Sequence, residues 1–242
     1  MAEDITPALL DEIQKQFNRD YGTDSKVQKL LDKINNGNAN YDDVNAYAQK
    51  IGEILAKSFQ DNLSSEVLPD GKMYFNIADR ILRTTLGKNY DLVSIASEKV
   101  QSQLNKQAGI GLKAIKPVLD DDRIKGFVDR LDSEEDFDTV KWLLDEPVVN
   151  FTQKAVDDAI EQNAEFQYKT GLKPKIIRTL EPSERTCKWC EGLAGEYTYP
   201  NVPSEVFQRH DRCRCNVSYD GSNLRAYTGR GRRSQRSSNT FR

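Results

Sequence analysis

The hydrophobic period of this chain changes once, at Gly171, and that change limits what the chain can fold into. Before Gly171, apolar residues recur three and four positions apart; after it they alternate. In "YDDVNAYAQKIGEILAKSFQDNL", Val44, Tyr47, Ala48, Ile51, Leu55 and Phe59 lie on one stripe, the mark of an amphipathic helix, and Asn40 precedes it as a cap. "MYFNIADRILRTTL" aligns Phe75, Ala78, Ile81 and Leu82. A second helix is expected from Asn89, aligning Leu92, Ile95, Ala96 and Val100. "QAGIGLKAIKP" ends that run with Gly109, Gly111 and Pro117. Two shorter helices near the N-terminus are expected to stop at Gly22 and Gly37.

Ser133, with Asp136 three residues on, reads as the cap of a helix over "EEDFDTVKWLLD", which makes Trp142 a core residue. Pro147 suits the first turn of a long helix running to Thr170 and closing at Gly171. Beyond it, "KPKIIRTL", "GEYTYP" and "CRCNVSY" read as short strands. The fold expected is mainly α: a helical body over 1–171, a β-rich module over 172–220, and a basic tail over 221–242. The acidic runs at Asp120–Asp122 and Asp132–Asp138 lack calcium-loop spacing and read as solvated helix faces.

Charge is distributed unevenly. The net charge is -3, yet Leu224–Arg242 holds Arg225, Arg230, Arg232, Arg233, Arg236 and Arg242 and no acid, so the remainder carries -9. An acidic body with a basic, Gly- and Ser-rich arm predicts a segment ordered only by a partner, and a polyanion is the natural one. A solvated terminus without a partner is the plain alternative. The N-terminus lacks the basic and apolar regions of a signal peptide, and no apolar run reaches the roughly 18 residues needed to span a bilayer. Synthesis in the cytosol is therefore expected.

All four cysteines and the only histidine fall between Arg185 and Asp220. Cys187 and Cys190 are spaced C-x2-C, and His210, Cys213 and Cys215 follow. A C-x2-C turn lets both thiolates face one ion, and Cys213 and Cys215, two apart in a strand, would point the same way. Five candidates for four positions leave either four cysteines or three plus His210. Arg185, Lys188, Arg209, Arg212 and Arg214 interleave with them and would offset the thiolate charge. Structural Zn2+ is the expectation, because a module this poor in apolar residues needs a staple. Two disulfides, a redox C-x2-C and a cysteine–histidine nucleophile are the competing readings. Cytosolic synthesis argues against the first, and the missing βαβ context against the second. Trp189, inside the C-x2-C turn, is placed to pack over the site or to face a partner. No pair of acids stands out as a catalytic couple, and a closed four-ligand site offers no open coordination position.

The stretch from about Val148 to Ser218 resembles the phage head morphogenesis family, the Mu F-like minor head proteins of tailed phages. The likeness lies in the order of features: a long helix ending in "YKTG", the strand "KIIRTL", then "SERTCKWCEGLAGE", a spacer and "RHDRCRC". Cys187, Cys190, Gly195, His210, Cys213, Arg214 and Cys215 fall on the family pattern, whereas Asp211 stands where members often carry proline. The resemblance covers about 70 residues and implies a non-enzymatic virion component. Such a protein would sit inside the head, after assembly in the host cytoplasm, and meet the portal and/or major capsid protein, with the arm facing them or packaged DNA. It would act in head morphogenesis or genome delivery. A zinc-containing nucleic-acid-binding protein is the rival from another class, and a cysteine-dependent hydrolase using His210 a third.

Overall fold

The computed structural model describes residues 4–181, 188–210 and 212–221. It is mainly helical, with a small three-stranded sheet near the C-terminus. The helices are α1 (Thr6–Thr23), α2 (Ser25–Asn35), α3 (Tyr41–Asn62), α4 (Phe75–Gln107), α5 (Asp121–Asp132), α6 (Glu146–Lys169) and α7 (Lys188–Leu193). The strands are β1 (Lys175–Thr179), β2 (Gly195–Thr198) and β3 (Asn216–Asp220). Among the described residues no helix is long and apolar enough to cross a membrane.

Helix α3 is the axis of the body. Its expected cap forms a reciprocal box: Asn40 Oδ1 accepts from the Asp43 amide at 3.0 Å, and Asp43 Oδ2 accepts from the Asn40 amide at 3.2 Å. All six residues of its expected stripe are buried. The most extensive helix pair is α3 with α6, and Gly52 permits their close approach. A Cβ there would stand 2.9 Å from the Val149 Cα, inside contact distance.

Three expectations are corrected. First, α4 is one helix of 33 residues, and Asn89 caps nothing. Asn89 is buried, and its side-chain amide donates to the Ile51 carbonyl and to Thr152 Oγ1, at 3.4 and 3.2 Å, tying α4 to α3 and α6. A single interior glycine, Gly87, costs a helix only about 1 kcal/mol, too little to break one so well buried. Phe75 and Ile95 face outward instead of lining the core. Second, Ser133 ends α5 rather than opening a helix: its amide bonds back to the Asp129 carbonyl. "EEDFDTVKWLLD" forms two 3-10 turns, Phe137–Thr139 and Lys141–Leu144, the first capped by Asp136. The tighter turns rotate Trp142 out of the core, leaving it 50% exposed. Third, α1 runs through Gly22 to Thr23 and stops where Asp24 caps α2.

The sheet has the order β2-β1-β3, antiparallel throughout. Ile176 pairs with Tyr197 and Tyr219, and Arg178 pairs with Val217. Helix α6 closes where expected, with Gly171 at φ 92°, the left-handed geometry that glycine takes without strain. Ile176, Val206, Phe207, Val217 and Tyr219 belong to the same buried cluster as the helical residues. Asn45 of α3 donates to the Val217 carbonyl at 2.9 Å, and the Tyr219 hydroxyl donates to Gln167 Oε1 of α6 at 2.6 Å. The sheet is thus held against α3 and α6 by both apolar and polar contacts.

Candidate metal centre

Each ligand candidate is placed by a different local device. Cys190 sits on the short helix α7 and is 2% exposed. His210 follows the 3-10 turn Ser204–Phe207, and Cys213 follows His210 through a turn in which the Cys213 amide donates to the His210 carbonyl at 3.1 Å. Arg212 within that turn has φ 57°, a left-handed conformation uncommon for a residue other than glycine. The turn brings both side chains to Cys190. His210 Nε2 lies 2.8 Å from Cys190 Sγ, and Cys190 Sγ lies 3.9 Å from Cys213 Sγ. The ligand atoms of Cys190, His210 and Cys213 all lie within 4.8 Å of one another, and this group could hold a metal ion.

Cys215 adjoins the group, hydrogen-bonded to Cys213 and Cys190, and is 5% exposed. It does not reach it from a strand, as expected: β3 begins at Asn216. Arg209 Nη1 donates to the Cys215 carbonyl at 3.0 Å, just ahead of the strand. Cys187 and Asp211 lie outside the described residues. No disulfide joins Cys190, Cys213 and Cys215 to one another.

The donor set suits a thiophilic tetrahedral ion. With metal–sulfur bonds of ~2.3 Å, tetrahedral geometry sets two sulfurs about 3.8 Å apart, and Cys190 and Cys213 already stand at that spacing. Thiolate is the ligating form. A hydrogen bond from Cys215 is the main cause that draws the Cys213 thiol down to about 4; burial opposes it, while the Cys215 amide, Arg209 and Arg178 assist. Sharing that proton, and burial, push Cys215 upward. The direction of this shift favours the thiolate form of Cys213, with Arg209 and Arg178 among its causes.

Arg178 was invisible to motif reading. It projects inward from β1 and is 2% exposed. Its Nη1 donates to the Val206 and Gln208 carbonyls at 2.5 and 3.0 Å, its Nη2 lies 3.6 Å from Cys213 Sγ, and its guanidinium lies 5.4 Å from the centre of the Trp189 ring. An arginine two residues from Ile176 in an alternating strand is the signal that could have found it. Trp189 packs over the site as expected, edge-on to His210 at 5.5 Å, while 40% exposed.

Of the basic residues expected to balance the thiolates, two act mainly elsewhere. Arg209 makes a two-pronged ion pair with Asp157 of α6, at 2.6 and 2.9 Å, with side chains 2% and 0% exposed. Arg214 pairs with Glu146 at 2.7 Å, and Arg185 lies outside the described residues. Asn150 completes this face of α6 by donating to the His210 carbonyl at 2.9 Å. Glu146, Asn150 and Asp157 hold Arg214, His210 and Arg209 of the ligand loop, which mounts the candidate site on α6. The arm residues Arg225, Arg230, Arg232, Arg233 and Arg236 lie outside the described residues.

No family model, curated protein or solved structure matches this chain.

Proposed function

We propose that this chain is a structural, non-enzymatic virion component: a minor head protein of a tailed phage, associated with the portal and/or the major capsid protein inside the head. On this reading it assembles in the host cytoplasm and acts in head morphogenesis or genome delivery. The ion is Zn2+, held by Cys190, His210 and Cys213 with a fourth ligand from Cys187 or Cys215, and its role is to fix the ligand loop against α7 and α6. Arg225, Arg230, Arg232, Arg233 and Arg236 contact packaged DNA or an acidic portal surface.

The observation that supports this reading most is the meeting of Cys190, His210 and Cys213 around one point, in the order that the phage head morphogenesis motif prescribes. Burial of all three described cysteines favours a structural ion over an activated thiol, which needs access to substrate. Two measurements test the proposal separately. Protein purified under reducing conditions should carry about one zinc per chain, as a single tetrahedral site requires; none would remove the metal. Reconstruction of the particle should place the chain at the portal vertex; its absence from purified particles would overturn the virion assignment whatever the metal content.

A further inference from the structure

Among the described residues of the site, Arg178 is the buried cation whose counter-charge is not a carboxylate. Arg209 is paired with Asp157 and Arg214 with Glu146, so each brings its own acid. Lys188 and Arg212 are exposed and therefore solvated. Arg178 is 2% exposed, and its polar contacts end on two carbonyls and a sulfur: Nη1 on Val206 and Gln208, Nη2 on Cys213 Sγ. Its Nε has no partner, and its guanidinium lies over the Trp189 ring. A carbonyl offers only the end of a dipole. A guanidinium held in the core by dipoles alone is an uncompensated charge, which proteins seldom tolerate. Of the groups that Arg178 touches, only Cys213 can carry a full negative charge.

We propose, on the reading that the site holds a metal ion, that Arg178 is the built-in counter-charge of the metal–thiolate centre and the residue that positions Cys213 in it. A divalent ion with three thiolates and a neutral imidazole carries one net negative charge, and one guanidinium cancels it. Four thiolates would leave a negative charge unbalanced, and two would leave Arg178 without a partner. Arg178 thus matches the centre to a divalent ion bound by three thiolates and His210. The geometry also gives the reason for an arginine. One flat fork spans the Val206 and Gln208 carbonyls and the Cys213 sulfur at once, a pattern that the compact ammonium of lysine does not reproduce. Gln208 lies two residues before His210, so the same side chain on β1 fixes the approach of both ligands. The role is one of positioning and charge balance, outside the coordination sphere itself.

The test loads the full chain with Co2+ under reducing, oxygen-free conditions and compares it with full-length R178M and R178K. Cobalt bound by thiolates gives a sulfur-to-metal charge-transfer band in the near ultraviolet. R178M should bind Co2+ about 10–100-fold more weakly, the usual cost of losing an outer partner of a ligand. Its band should move to longer wavelength, because a thiolate relieved of a hydrogen bond gives up an electron more easily. R178K keeps the charge and loses the fork, so its affinity should fall between those of the native chain and R178M. Urea unfolding should show R178M losing more stability in the cobalt-loaded chain than in strong chelator, as the weaker binding requires. A role in packing alone predicts an unshifted band and equal losses with and without the ion, and either result overturns the proposal. R178K binding no better than R178M overturns it too, since charge would then not matter. If R178M does not fold, R178K decides: a band and an affinity identical to those of the native chain overturn the assigned geometry. A native chain that gives no cobalt band removes the metal reading itself, whereas a native band untouched by R178M removes only the role of Arg178.

Discussion

Asp157 and Arg209 show how much a single side chain decides here. Both are buried, and the guanidinium also donates to the Cys215 carbonyl and to Asn45 Oδ1. The charge is sustained in the core because burial, which opposes it, is outweighed by the carboxylate of Asp157. Removing one partner strands the other. Asp157→Ala is expected to cost about 3–5 kcal/mol, the typical penalty for an uncompensated buried charge. Joint replacement by Asp157→Leu and Arg209→Met should cost clearly less than the sum of the two single changes. Urea unfolding of the four chains measures this directly, because a lowered midpoint at constant slope reports stability alone. Additive losses would show that the two groups do not act as a pair. Neither residue carries a motif, and nothing within a few positions of Asp157 marks it as different from Asp158, which pairs with Lys154 one turn back on the same helix.

At the scale of the element, two caps separate local chemistry from charge. Asp24 Oδ1 accepts from the Lys26 and Val27 amides at 2.9 and 3.0 Å and starts α2, while Asn40 starts α3 without a charge of its own. Burial pushes the Asp24 carboxyl upward, but the Val27 amide, Lys50 and the Lys26 amide outweigh it and leave its pKa below the ordinary 3.8. A depressed carboxyl contributes stability that is complete above the unfolded value and is lost as pH falls through the folded one. Asp24→Ala should therefore cost about 1 kcal/mol at neutral pH, and that cost should shrink in acid below the folded pKa. Asn40→Ala should cost a similar amount whose Asn40 contribution does not titrate. Thermal unfolding of both variants at neutral and acid pH checks this; an Asp24→Ala cost that persists unchanged in acid would refute the charged cap. The Asn40 cap was readable because its partner lies three residues away; at Asp24 the sequence pattern stops the first helix at Gly22 instead. The continuity of α4 was not readable, since Asn89 finds its partners 38 and 63 positions away, on α3 and α6. The site divides in the same way. Spacing picked out five candidates, Cys187, Cys190, His210, Cys213 and Cys215, of which the fold brings Cys190, His210 and Cys213 together, whereas Arg178, Asn150 and Asp157 enter through the packing of β1 and α6 against the ligand loop.

Over the whole molecule, one buried cluster extends from Ile13 in α1 to Tyr219 in β3. The change of period at Gly171 marks a change of secondary structure, but Ile176, Val217 and Tyr219 fill the same core as α3 and α6. An ion bound at Cys190, His210 and Cys213 is thereby linked to that core through Arg209–Asp157, Asn150–His210 and Arg214–Glu146. A ligand that binds only the folded state stabilises it by about 2.7 kcal/mol when its free concentration is 100 times the dissociation constant. For a chain of this size each kcal/mol moves the melting temperature by about 2–4 °C, so such zinc loading should raise it by roughly 5–10 °C. Because the core is shared, calorimetry should show one transition that moves as a unit between strong chelator and zinc excess. Two transitions, of which only the smaller responds, would mean that residues after Gly171 unfold as a separate unit and that the contacts of Asn45 and Gln167 with β3 are energetically weak. A single transition indifferent to both chelator and zinc would mean that the ion contributes nothing to the fold.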